Sequence, residues 1–335
     1  MDHDATLKLS DGTQWRGTGY GHRSNAKHKD LFVNSLSFDL EKVLTRPCNS
    51  GNIAVNEFSI VGFSGIDNVS HSLGHNVSGL VVGQMCDSVF KNRMTLDNFL
   101  LARGVACISG IDVASLLEHL RSFKTKLSAS IEFDQKVSMQ VARPLLGSLP
   151  NYNLGDQPGK VALIDLGLDE ETKQILLNRV GFSVFGDYDY NLVVSSSPKV
   201  LIFSDGGGSP LNQKAAINLV KANLLSKSPI PMLGIGLGHL VLALGHGLKL
   251  HKLPCGYYGD IAVRNVASEK LLVVRGGLNW EVVPKSLTVD TKLEYQIVQG
   301  NKVAGLYYKK TKSRSIIVGG DLLIEWLADN KKLID

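Results

Sequence analysis

The chain has 335 residues, of which 44% are hydrophobic and 20% charged; this is the composition of a globular protein long enough for two domains. Its formal charge of +5 comes from 36 basic and 31 acidic residues scattered along the sequence, a pattern that argues against a nucleic-acid-binding protein. No run reaches the ~18 apolar residues of a membrane span, and the polar N-terminus does not have the pattern of a signal peptide. We therefore predict a cytoplasmic protein that binds neither nucleic acid nor membrane.

The residues that most often hold metals show no ligand spacing. Four cysteines are widely separated, and we expect them to be reduced thiols: Cys48, Cys86, Cys107 and Cys255. His71 and His75 are four residues apart, but the residues between them indicate a loop and no third ligand is near. The sequence therefore predicts no metal site and no cofactor.

The first 146 residues alternate short strands with short helices. A hairpin is predicted over residues 7–17, because alternating segments flank an Asp-Gly turn, and residues 18–31 are predicted to be a loop. Apolar periodicity predicts the remaining elements. The predicted helices are 38–44, 98–103 and 113–123, and the predicted strands are 51–55, 59–63, 78–84 and 105–108. This pattern indicates a small mixed α/β domain over residues 1–146.

Residues 147–159 are rich in Gly, Pro and Asn and are predicted to be a linker. After them, strands and helices alternate regularly, which implies right-handed crossovers and a mostly parallel central sheet. The predicted strands are 160–165, 182–185, 200–203 and 231–233, then 261–263, 271–274, 287–293, 302–308 and 315–318 in the tail; the predicted helices are 170–180, 212–225, 240–244 and 322–328. We therefore predict an α/β domain over residues 160–335.

Two glycine-rich loops follow strands of this domain, at the sheet edge where ligands of parallel sheets bind. The loop at 234–239, GIGLGH, has the strand–turn–helix form of a nucleophile elbow, but its central residue, Gly236, has no side chain. The loop at 204–210, SDGGGSP, could cradle a phosphate, yet it does not end as a P-loop does. We expect Asp205 to be a turn residue and His239 to be a buried, hydrogen-bonded packing residue.

Six segments, taken in order, carry a resemblance to a known family. They are LSDGT at 9–13, LTRPCNSGNI at 44–53, SGID at 109–112, DLG at 165–167, SDGGGSP at 204–210 and GIGLGH at 234–239. Over nearly its whole length, the chain resembles the small, glutamine-hydrolysing subunit of carbamoyl phosphate synthetase, whose motifs at the last two segments read SNGPGDP and GICLGHQ. The resemblance implies that the C-terminal domain is class I glutamine amidotransferase-like.

In that family a cysteine attacks the glutamine amide, a histidine relays the proton and a glutamate orients the histidine. The resemblance places these three roles on Gly236, Gly320 and Leu322, so it implies that no catalytic residue remains. Without a thiolate there is no acyl-enzyme, and without an imidazole there is no proton relay. The positions of the vestigial glutamine pocket would be Ser50, Gly206, Gly208, Leu237, Leu240, Gly277, Asn279 and Trp280.

The resemblance implies an inactive glutaminase-like subunit without glutaminase activity of its own. It would pair with, and stabilise or regulate, a carbamoyl phosphate synthetase large subunit, which uses free ammonia to make precursors of pyrimidines and arginine. One alternative is a pseudoenzyme that binds or scaffolds a different partner. A second alternative is an enzyme with relocated catalysis, for instance at Cys255 or His239.

Overall fold

The chain divides into two compact units in the computed structural model. One comprises Met1–Leu146 with Lys252–Gly259, and the other Gly147–His251 with Asp260–Asp335. The sequence does not predict that Lys252–Gly259 belongs with the N-terminal unit. The described residues are 4–36, 40–66, 76–86, 93–123, 125–134, 152–154, 161–168, 182–185 and 189–317.

Seven strands of the N-terminal unit pair in a closed ring. The described strands of this unit are β1 (Ala5–Leu9), β2 (Gln14–Gly21), β3 (Ala26–Asn34), β4 (Ile53–Asn56), β5 (Ile60–Val61), β6 (Gly79–Val81), β7 (Gln84–Met85), β8 (Ala106–Ser109) and β9 (Ser128–Phe133). The ring runs β1–β2–β8–β6–β4–β3–β9 and returns to β1. β5 and β7 form a separate two-stranded sheet.

Apolar side chains cover both faces of the ring strands. Alternate residues of a strand point to opposite faces, so Ile53 and Val55 join one buried cluster while Ala54 joins another. The described helices of this unit are α1 (Leu40–Thr45), α2 (Leu96–Arg103) and α3 (Val113–Ser122). Leu116 of α3 completes the first cluster and Leu100 of α2 the second, and each buried leucine stabilises the fold by roughly 1.5–3 kcal/mol.

The ends of α2 and α3 follow from their capping residues. Thr95 Oγ1 accepts a hydrogen bond from Asn98 N at 3.2 Å, and Asp112 Oδ1 accepts one from Ser115 N at 3.1 Å. Each bond satisfies a backbone donor that has no partner within its own helix. α2 ends at Gly104, which adopts the left-handed conformation with φ of 69°.

The C-terminal unit is an α/β structure around a mixed sheet. Its described strands are β10 (Tyr152–Leu154), β11 (Val161–Leu166), β12 (Phe182–Phe185), β13 (Val200–Gly206), β14 (Met232–Ile235), β15 (Leu250–Asn265), β16 (Leu271–Val282), β17 (Thr291–Ile297), β18 (Lys302–Tyr308) and β19 (Ser313–Ile316). Its described helices are α4 (Tyr190–Ser195), α5 (Lys214–Leu225) and α6 (Leu237–Gly245). Residues Lys252–Gly259 of β15 are the segment that belongs to the N-terminal unit, where Gly256, Tyr257 and Tyr258 pair with β3.

The predicted mostly parallel sheet needs correction. Strands β12, β11, β13, β14 and β19 are parallel in that order, but β10 pairs antiparallel with β12 at one side. At the other side β18, β17 and the end of β15 continue the sheet in antiparallel pairs. Short connections, such as the turn between β18 and β19, can join antiparallel neighbours, whereas parallel neighbours need a crossover of a dozen or more residues.

Several other predictions were wrong, and some fall on residues outside the described ranges. The predicted loop at 18–31 was wrong, because it holds the end of β2 and most of β3. β10 lies within residues 147–159, whose assignment as a linker stays a prediction. β9 and α4 were not predicted. The pair His71 and His75 and the predicted helices 170–180 and 322–328 lie outside the described residues.

The described residues contain neither a candidate membrane helix nor a candidate metal cluster. None of their helices is long and apolar enough to cross a membrane. Within the same residues, no three His, Cys, Asp or Glu side chains gather where they could hold a metal ion. None of the four cysteines, all of which are described, forms a disulfide bond.

Candidate functional site

The carboxyl ends of β13 and β14 lie side by side, because Leu201 pairs with Met232 and Phe203 with Gly234. β13 ends in the first glycine-rich loop, and β14 runs through Gly236 into α6. This register brings two loops, distant in sequence, to one edge of the C-terminal sheet. That edge is where the sequence predicts the functional site.

Gly236 forms a sharp strand-to-helix turn, called the elbow here (residues 235–237). Its φ of 55° and ψ of −112° are rarely adopted by a residue with a side chain. Its N–H donates to Ile316 O at 2.8 Å, and its carbonyl accepts from His239 N at 3.1 Å. The turn therefore has the sharp strand-to-helix geometry of a nucleophile elbow, and its central residue is a glycine.

The helix that follows the elbow approaches the sheet very closely. A Cβ added to Gly238 would overlap Phe203 O and lie 2.8 Å from Phe203 Cβ, and one added to Gly234 would lie 2.7 Å from Gly238 O. Real Cβ atoms do not make such contacts in a well-packed interior. Glycines at both flanks of the elbow are therefore required by the close packing of α6 on β13 and β14.

The side chain of Asp205, near the end of β13, lies against the elbow. Its Oδ1 accepts hydrogen bonds from Gly206 N at 2.8 Å and from Leu237 N at 2.9 Å. A Cβ added to Gly236 would overlap Asp205 Oδ1 and Cγ and would lie 2.9 Å from Asp205 Cβ. The carboxylate therefore fills the space that a side chain at position 236 would need, and it accepts hydrogen bonds from the two backbone N–H groups beside that space.

Sequence reasoning missed this arrangement, since it assigned Asp205 only to a turn. A signal was nevertheless present in the sequence. The family motif SNGPGDP has asparagine at the position of Asp205, and the acidic residue appears in the same chain as the glycine at the nucleophile position.

His239 is a fully buried residue of α6. Its Nδ1 shares a hydrogen bond of 2.7 Å with Ser315 Oγ, which in turn lies 3.2 Å from Tyr308 Oη. Burial lowers the pKa of His239 to about 3, so the imidazole is neutral near pH 7. Because an efficient general base has a pKa near the working pH, this histidine fits the packing role that the sequence predicts.

Cys255, the other residue considered for relocated catalysis, belongs to the N-terminal unit. Its Sγ lies 3.5 Å from Leu31 O, and burial raises the pKa of the thiol to about 12. The thiolate, not the thiol, is the nucleophile. A cysteine that stays protonated at neutral pH does not support nucleophilic catalysis there.

The predicted pocket residues belong to several elements of the two units. Gly206 and Leu237 meet at Asp205, while Gly208 is exposed and has no atom within 4 Å of an added Cβ. Ser50 lies in the N-terminal unit, where its Oγ donates to Asn76 O at 3.5 Å. The remaining described positions are Leu240, buried on α6, and the partly buried Gly277, Asn279 and Trp280 on β16, which contacts α6.

Two of the three predicted triad positions, Gly320 and Leu322, lie outside the described residues. The structure thus describes Gly236, the position predicted for the nucleophile, but not the positions predicted for the histidine and the glutamate. Their assignment stays a prediction from sequence.

Comparison with known proteins gives a consistent family relation. Residues 7–130 match the model of the carbamoyl-phosphate synthase small chain, CPSase domain. The carbamoyl phosphate synthase small chain of Bacillus anthracis is 28% identical over 91% of this chain and 87% of its own length. That of Symbiobacterium thermophilum is 24% identical over 90% of this chain and 89% of its own length. The chain is similar to carbamoyl phosphate synthase small chains over about nine-tenths of its length.

Solved structures that match the chain cover about half of it. A glutamine amidotransferase from Thermotoga maritima matches with a TM-score of 0.37 and 18% identity, over 52% of this chain and 82% of its own. A glutamine amidotransferase from Methylobacillus flagellatus matches with a TM-score of 0.38 and 11% identity, over 52% and 77%.

The match to the carbamoyl phosphate synthase small-chain domain model coincides with one part of the fold. Residues 7–130 run from β1 to β9 and so take in all seven strands of the closed ring. The elbow and Asp205 lie beyond that range. Their relation to the carbamoyl phosphate synthase small chains rests on the pairwise similarities, which extend over about nine-tenths of the chain.

Proposed function

We propose that this chain is a catalytically inactive, glutaminase-like small subunit of carbamoyl phosphate synthetase, which stabilises or regulates an ammonia-using large subunit. Similarity to carbamoyl phosphate synthase small chains over about nine-tenths of the chain supports the family part of this proposal. The observation that carries the inactive part is Gly236, because the nucleophile position of the elbow has no side chain.

The chemistry of glutamine hydrolysis explains why this position matters. A nucleophile must attack the amide carbon, backbone donors must stabilise the oxyanion that forms, and a proton must reach the leaving ammonia. A glycine cannot form the covalent intermediate. Gly320 and Leu322 occupy the positions predicted for the histidine and the glutamate, so the proton relay would be lost as well.

The physiological setting belongs to the same proposal. As part of a heteromer with the large subunit, the chain would act in the cytoplasm in the synthesis of pyrimidine and arginine precursors. The large subunit would take its nitrogen from free ammonia, since this chain would deliver none from glutamine. The contribution of the chain would then be to the stability or regulation of its partner.

Two measurements on the native complex test this proposal. The tagged chain, purified from its native host at native expression, should bring down a carbamoyl phosphate synthetase large subunit in near-equal amount. The purified complex should form carbamoyl phosphate with ammonium chloride and not with glutamine, and the chain alone should release no ammonia from glutamine above the buffer blank. Ammonia release by the pure chain would overturn the inactive assignment.

A binding or scaffold protein with a different partner is the second candidate. An open cleft of about 590 Å³ in the N-terminal unit favours it, since a cleft of this size suits a small ligand. Polar groups at its lining include Glu57, Asp112 and Arg121. The same purification separates the candidates, because recovery of another protein in near-equal amount, without the large subunit, would favour the second and contradict the first.

A further inference from the structure

Two backbone donors at the elbow converge on one point from different elements. Leu237 N begins α6, and Gly206 N ends β13, yet both donate to the same oxygen atom. In elbow enzymes, the N–H that follows the nucleophile and an N–H from a neighbouring loop form the oxyanion hole. We call the N–H groups of Gly206 and Leu237 the cradle.

The atom that the cradle holds belongs to the chain itself. Asp205 Oδ1 lies 2.8 Å and 2.9 Å from the two nitrogens, distances typical of strong hydrogen bonds to a carboxylate. Since the N-terminus of a helix carries a partial positive charge, a carboxylate is a favourable occupant of this position.

The Asp205 side chain also occupies the space beside Gly236, so its role is not limited to the local turn. A Cβ on Gly236 would overlap the Asp205 carboxyl group, so the carboxylate fills the volume that a nucleophile's side chain would need. This steric overlap does not depend on the hydrogen bonds. One residue thus blocks the nucleophile position and the oxyanion position together.

We propose that Asp205 is a built-in plug of the elbow, which fills the oxyanion cradle and excludes carboxamide substrates such as glutamine from it. A substrate carbonyl could reach the two N–H groups only by displacing a tethered carboxylate. The plug predicts that a nucleophile restored at position 236 would not by itself restore the site. This inference deepens the inactive-subunit proposal. It rests on that proposal only for the assignment of the elbow as a former glutaminase site.

Removal of the plug and its replacement by a free carboxylate test the inference. Asp205→Gly in the full chain should lower the melting temperature, and tens of millimolar sodium formate should recover part of the loss, relative to sodium chloride of equal ionic strength. The parent should show no such formate effect. The matched control is Asp189→Gly: Asp189 also accepts a backbone hydrogen bond, from Leu192 N at 2.9 Å, but it is exposed at the start of α4.

Amide hydrogen exchange provides a second readout at the cradle itself. The Leu237 N–H should exchange about tenfold faster in Asp205→Gly than in the parent, and formate should slow it again. Asp205→Asn keeps an oxygen acceptor of the same shape, so its Leu237 N–H should exchange at nearly the parent's rate. If the glycine variant does not fold, Asp205→Asn still tests the inference, because we expect its Leu237 N–H to remain protected.

Two results would overturn the inference: equal Leu237 exchange in the parent and in a folded Asp205→Gly, or a Leu237 amide that loses its protection in Asp205→Asn. Neither readout uses glutamine hydrolysis or the large subunit. Hydrolysis by the pure parent chain would therefore defeat the inactive-subunit proposal while the exchange data would still decide whether Asp205 occupies the cradle.

Discussion

The overlap between Asp205 and the empty side-chain position of Gly236 makes a strong prediction about the two residues together. A methyl group added by Gly236→Ala must displace the Asp205 carboxylate, whereas Asp205→Gly removes all three of the atoms nearest to that methyl group. The two substitutions should therefore not be additive. A double-mutant cycle measures the difference directly.

The structure allows the size of this coupling to be worked out. Gly236→Ala carries a backbone strain of about 1–3 kcal/mol at φ of 55°, and it also breaks two hydrogen bonds to a charged acceptor. Because Asp205 is half-buried, we take the lower value of about 1.5 kcal/mol for each bond. Gly236→Ala should then cost about 4–6 kcal/mol and Asp205→Gly about 3 kcal/mol, from the same two bonds.

The double variant loses those bonds once, so it should cost about 4–6 kcal/mol in place of the additive 7–9 kcal/mol. The coupling is therefore about 3 kcal/mol. Urea unfolding of the four proteins provides the free energies. A Trp15→Phe background removes the tryptophan of the N-terminal unit that lies in β2, so that the fluorescence reports on the C-terminal unit.

Additive costs within about 0.5 kcal/mol would refute the reasoning, because they would show that the two groups do not compete for one space. A matched cycle controls for general destabilisation. It combines Gly236→Ala with Asp189→Gly, which removes a hydrogen bond of similar length at the exposed start of α4. That pair should be additive, since the two sites share no hydrogen-bond partner among the described contacts.

Three further outcomes are expected from single substitutions. Acidification from pH 7 to 5.5 should lower the free energy of unfolding by about 1.3 kcal/mol through His239 alone, because its folded pKa near 3 lets the unfolded chain take up the proton first. His239→Gln should remove this contribution in urea titrations at each pH, and an unchanged pH dependence in that variant would contradict the argument. On α5, Leu219→Ala should lower the free energy of unfolding by about 2–5 kcal/mol, because Leu219 is only 1% exposed. Leu225→Ala on the same helix should lower it by under about 1 kcal/mol, because Leu225 is 87% exposed. Equal melting temperatures for the two variants would contradict the packing of α5. Gly238→Ala should lower stability by about 1–3 kcal/mol or more through its clash with β13, which urea unfolding checks and a cost near zero would exclude.

The elbow could be predicted from sequence because its signals are local. A short apolar strand, glycines at fixed spacing and a helical apolar run all lie within residues 231–245. The contact that fills the elbow could not be predicted in the same way, since Asp205 and Leu237 are 32 residues apart and meet only after β13 and β14 pair. Local patterns do not reveal which side chain will occupy a given space.

The N-terminal unit shows a second limit of sequence reasoning. Residues 26–30, at the start of β3, include two lysines and a histidine, so the segment resembles a loop, yet it forms ladder pairs with β9. Long-range strand pairing outweighs weak local preference here. The mixed α/β character was therefore predictable, but the closure of the ring, which depends on the unpredicted β9, was not.

That ring sets an order of events during synthesis. Ala5 pairs with Phe133, so β1 must remain without one of its two neighbours until β9 has left the ribosome. At about 5–20 residues per second this wait lasts roughly 6–25 seconds, a long time for a strand edge to stay open. The segment Lys252–Gly259, which also belongs to this unit, arrives later still. During synthesis the β1–β2 hairpin therefore has an unpaired strand edge that strands of other chains can bind. We expect the yield of folded protein in cells to depend on chaperones that cover that edge.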